Sequence, residues 1–121
     1  MVVDRDLDDA AVPALSADRR FATAYNAALQ VAKMAIACAG YRVIGVGAHQ
    51  TTFEAVQLAV GGRIAPLALY FETCRRKRNR VDYDAAHIVS DAEAQEIRAQ
   101  AEQLRTDVEA WIASQHPQFR P

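Results

Sequence analysis

Between Cys74 and Asp84 the chain reads CRRKRNRVDYD, and five of the six residues from Arg75 to Arg80 are cationic. The formal net charge of the chain is -1 and this run contributes +5, which leaves -6 on the remaining residues. Guanidinium and ammonium groups at such density need either an anionic partner, such as phosphate oxygens, or a solvated helix face. Arg75, Arg76, Lys77, Arg78 and Arg80 are therefore the candidate phosphate-binding residues. Just before the run, Leu67, Tyr70, Phe71 and Cys74 recur at three- and four-residue spacing, and Arg78 is the next position on that stripe. Arginine cannot shed its charge, so a guanidinium directed toward packing needs a carboxylate, carbonyls, a subunit interface or a bound phosphate.

Other chemistries find less to work with. The histidines at 49, 87 and 116 and the cysteines at 38 and 74 have no metal-ligand spacing, so neither a metal nor a cofactor is expected. Gly45 and Gly47 give G-x-G, but Gln50 stands where a dinucleotide fingerprint has its third glycine. Asp82 and Asp84 form a carboxylate pair whose place beside five cations suits neutralisation and the holding of Arg78.

The elements that must position the ridge follow from apolar period and caps. Residues 1–15 hold four Asp and Pro13 and read as a loosely ordered acidic tail. Ser16 or Asp18 caps a first helix with Phe21, Tyr25, Ala28, Leu29, Ala32, Ala35, Ile36 and Ala39 on its apolar face, ending at Gly40. Thr51 or Thr52 caps a short second helix with Phe53 and Val56 inward, stopped by Gly61 and Gly62. His49 lies just before it, as a loop histidine or near an anion at the helix N-terminus. Pro66 opens a third helix that runs into the ridge. Ser90 and Glu93 form a capping box for the last, which carries Ala94, Ile97, Ala101, Leu104, Val108 and Trp111 and closes at Pro117, with His116 as a C-terminal dipole partner. These four helices with short links predict an all-α protein, an antiparallel four-helix up-and-down bundle over residues 16–116 with a short tail at 117–121.

Length allows one core and one domain. The acidic N-terminus is unlike a signal peptide, no apolar run matches a membrane span, and the two cysteines read as buried thiols of a reducing compartment. A cytoplasmic protein with no membrane partner is expected.

Arg78-Asn79 followed by Tyr83, on the third helix of a small bundle, resembles the HEPN superfamily (higher eukaryotes and prokaryotes nucleotide-binding). The segments AGYRV, HQTTFEA, RRKRNRVDYD and VSDAEAQEIRAQAEQL, in that order, look like small stand-alone bacterial HEPN proteins, over roughly residues 16 to 116. The resemblance implies a homodimer whose paired signatures line one cleft. It also implies RNA or nucleotide binding, in a toxin-antitoxin, defence or stress system, with a minimal nucleotidyltransferase as a partner of some members. Other members are metal-independent endoribonucleases. The family's signature is an Arg, a polar residue and a later His; Arg78 and Asn79 match, but Tyr83 stands where the His belongs. An imidazole with a pKa of about 6.5 can take up a 2′-hydroxyl proton near neutrality, whereas a phenol at about 10 is protonated there. A second register pairs Arg80 with His87, though the apolar Val81 follows that Arg. Arg78, Asn79, Tyr83 and His87 are thus the candidate catalytic set; binding of RNA or nucleotide phosphates is the expectation, with an active metal-independent endoribonuclease or a docking partner of a minimal nucleotidyltransferase as the alternatives.

Overall fold

The computed structural model describes residues 2–10, 16–40, 48–84 and 89–119, with residues 2, 4, 9, 10, 48–51, 78–84 and 119 as backbone only. The described residues are helical throughout: α1 (Val2–Ala10), α2 (Ala17–Cys38), α3 (Ala48–Val60), α4 (Ala65–Asp84) and α5 (Asp91–Gln115), with short 3-10 turns at Gly62–Ile64 and Pro117–Phe119. The all-α expectation holds, and there is one helix more than the four predicted.

The extra helix is α1, within the stretch expected to be a loose tail. Val3 and Leu7 sit one turn apart on it, both buried in the common core, and α1 packs on α2 and α5. The Arg98 side chain on α5 donates through Nε to the Leu7 carbonyl at 3.2 Å. Two buried apolar residues on a nine-residue acidic segment give too short a period to be seen without the surface that receives them.

Helix α2 runs through the middle of the molecule and packs on all four others. Ser16 caps it, its hydroxyl accepting from the Arg19 amide at 3.2 Å, and Gly40 ends it at φ 92°, a left-handed backbone suited to glycine. Ala24, Ala27, Ala28, Ala32 and Ala35 are fully buried, and their small side chains let neighbouring helices approach closely. The most extensive contact is with α5, where Ala94, Ile97, Ala101, Leu104, Val108 and Trp111 are all buried as their period predicts.

Helices α3 and α4 fold back on one another across Gly61 at φ 112°, with the fully buried Ile64 plugging the turn. Tyr25 of α2, Phe53 of α3 and Phe71 of α4 form an aromatic row, with ring centroids 5.8 and 5.4 Å apart, and Tyr70 meets Phe71 edge-on at 5.1 Å. The start of α3 differs from the expected threonine cap: the helix begins at Ala48, and Thr52 lies inside it with no exposed surface. His116 caps α5 by donating its amide to the Ile112 carbonyl at 2.8 Å, while its ring packs on Trp111 with centroids 4.8 Å apart. No helix among the described residues is long and apolar enough to cross a membrane.

A candidate anion-binding ridge and the pocket beside it

The whole cationic run lies on one uninterrupted helix, α4. Its apolar stripe is core: Leu67, Phe71 and Cys74 are buried and Tyr70 is half-buried. The opposite face is open, with Leu69, Thr73 and Arg76 exposed. By register Arg78 continues the stripe of Cys74, whereas Asn79, Arg80 and Tyr83 follow Arg76 at three, four and seven residues. Five residues of α-helix turn through about 500°, so positions 78 and 83 stand about 140° apart around the axis. Arg78 and Tyr83 are therefore on different faces, and Asn79 shares one with Tyr83. The second register cannot be placed: His87 lies outside the described residues, and for His49 only the backbone, in the first turn of α3, is described.

Two of the three ridge cations whose side chains are described are already matched by carboxylates. Arg75 lies 3.6 Å from Glu72 one turn back, each side chain 19 % exposed. Burial pushes the Glu72 carboxyl above its usual range and neighbouring Glu54 adds to the rise, while Arg75 opposes it. Lys77 donates its ammonium to Glu93 of α5. Glu93 also closes the predicted capping box, accepting from the Ser90 amide at 3.1 Å while the Ser90 hydroxyl accepts from the Glu93 amide at 3.1 Å. The hydrogen bond from Lys77, then that from Ser90, holds the Glu93 carboxyl below its ordinary pKa. Arg20 of α2 pairs with Asp91 at the same helix end. The N-terminus of α5 is thereby bound to α2 and α4 by charge. Arg76 is exposed and has no ion pair among the described residues.

Beside Lys77, between α2, α4 and α5, a half-open pocket of about 130 Å³ is lined by Phe21, Tyr70, Thr73, Cys74, Lys77, Glu93 and Glu96. Burial pushes the Cys74 thiol up to about 12, and the Tyr70 hydroxyl is also raised chiefly by burial. Glu96 and Glu93 raise both groups further, while Lys77 opposes the rise at Cys74. Cys38 and Cys74 are both free thiols. Among the described residues no group of three His, Cys, Asp or Glu side chains is arranged to hold a metal ion.

Sequence reasoning identified Lys77 and Glu93 separately, one as ridge and one as cap, and missed that they meet. It did not find Glu96 or the pocket, whose walls come from residues as far apart as Phe21 and Glu96. The chain matches no protein-family model, no curated protein and no solved structure.

Proposed function

We propose that this is a HEPN-like protein that binds RNA or nucleotide phosphates along the last turns of α4, with Arg76, Arg78, Asn79 and Arg80 as the contacting residues. In this reading the helices form an up-and-down bundle that pairs with a second copy, the two α4 ridges lining one cleft. The observation that carries it is the division of labour on the ridge. Arg75 is matched by Glu72 within α4 and Lys77 by Glu93, which ties α4 to α5, while Arg76 stays exposed next to the Arg78-Asn79-Arg80 segment. A cationic face that is rigidly backed and partly uncompensated suits a polyanion. Tyr83 in place of a histidine supports binding in preference to cleavage, because a phenol is protonated near neutrality.

The test is to incubate the metal-free protein with a pool of labelled RNAs beside Arg76→Ala, Arg78→Ala and His87→Ala, and to score retention and cleavage together. RNA is expected to be retained at low salt and released as salt rises, by Arg78→Ala most completely, with no cleavage. Products ending in cyclic phosphate and lost in Arg78→Ala would instead make it an endoribonuclease. Retention unaffected by either arginine substitution would refute the ridge as the site. Sedimentation at micromolar concentration should give a dimer, and a monomer would remove the paired cleft.

A further inference from the structure

We propose that the pocket between α2, α4 and α5 is a binding site for a small organic cation, an alkylammonium group, separate from the anion-binding ridge. Its size sets the scale of the ligand. A cavity of about 150 Å³ holds a benzene ring, so this one of about 130 Å³ takes a group of roughly six non-hydrogen atoms. Its walls are mainly apolar, with Phe21 and Tyr70 supplying aromatic surface of the kind that attracts cations.

The polar groups then select the charge, because carboxylates outnumber ammonium groups on the lining. Lys77 gives one N–H of its ammonium to Glu93, and the Thr73 hydroxyl donates to the Leu69 carbonyl at 3.3 Å. The hydroxyl oxygens at positions 70 and 73 and the carboxylate of Glu96 are acceptors on the same lining. Lys77 and Glu93 cancel, so Glu96 leaves a net charge of -1 on the lining. An ammonium has donors only and a positive charge, which complements all of these at once. A phosphate or carboxylate meets repulsion from Glu96, and a neutral alcohol gains no charge-assisted hydrogen bond.

The experiment uses butylammonium as probe, with butanol and butyrate as neutral and anionic counterparts of the same length. Each is titrated into the full-length isotope-labelled protein, following backbone amide NMR shifts. Butylammonium is expected to give saturable shifts at Tyr70–Lys77 of α4 and Glu93–Ile97 of α5, with butanol and butyrate at least about fivefold weaker, as befits a charge-assisted contact at a partly exposed site. Glu96→Gln, at an exposed position where folding is not at stake, should weaken butylammonium by a similar factor and leave butanol unchanged. Equal binding of butanol or butyrate, indifference to Glu96→Gln, or the absence of saturable shifts would each overturn the proposal.

Discussion

At the scale of single residues, Cys74 makes the sharpest prediction. Its ordinary pKa of 9.0 is pushed up to about 12 by burial, and it is 5 % exposed, so it is a neutral, shielded thiol near neutrality. Alkylation at pH 8 should be slow in the native protein and rapid once denaturant is added, as mass spectrometry of modified Cys74 will show. The same shift links stability to alkaline pH. Above pH 9 the unfolded chain releases the thiol proton while the folded one keeps it until about pH 12, so stability is full below pH 9 and declines across that window. One proton accounts for a slope of about 1.4 kcal/mol per pH unit. Urea titrations between pH 8 and 11 should show this decline, and Cys74→Ala should flatten it, leaving the contribution of Tyr70, whose hydroxyl is raised as well.

At the scale of elements, Glu93 connects two helices through one carboxylate. One oxygen accepts from the Ser90 amide and the other from Lys77. Glu93→Ala should destabilise by about 1–2 kcal/mol through the lost cap, whereas Glu93→Gln keeps the amide contact and loses the charge of the ion pair. The difference between the two variants in urea unfolding isolates the link to α4. Because the folded carboxyl titrates below the unfolded value of 4.5, this contribution is present above that pH and is lost as pH falls through the folded pKa. Helix α1 provides the second test at this scale. Leu7 is 5 % exposed, and Leu7→Ala should cost about 2–3 kcal/mol if α1 is an integral wall of the core. A loss near zero would make it an appendage.

These elements also show what could be read before the structure. The long periods of α2 and α5 were legible because each repeats its apolar stripe over several turns and begins at a serine whose cap is local in sequence. Helix α1 was not legible, since its burial depends on a surface supplied by α2 and α5. The ridge could be seen as a run of charge, but not its partial neutralisation: Lys77 meets Glu93 only because α4 and α5 dock. The pocket had no sequence signal at all, because Phe21, Tyr70 and Glu96 belong to three helices and each has an ordinary role on its own.

For the molecule as a whole, the core is continuous from Val3 to Ile112. Unfolding should therefore be a single cooperative transition. Trp111, 7 % exposed and packed against His116, provides a fluorescence probe at one end of the chain, and far-UV circular dichroism reports all helices together. The two curves should coincide in denaturant. A fluorescence change that precedes the loss of helix would mean that α5 detaches on its own.

The dominance of the α2–α5 contact has a consequence for biosynthesis. A helix whose most extensive partner is translated well after it cannot complete the burial of its alanine-rich face as it leaves the ribosome. At about 5–20 residues per second, α2 waits on the order of ten seconds for α5. During that interval Phe21, Leu29 and Ile36 are offered to whatever apolar surface is nearby, so the nascent chain is a more adhesive object than the finished protein and a natural client for holding factors at the tunnel exit.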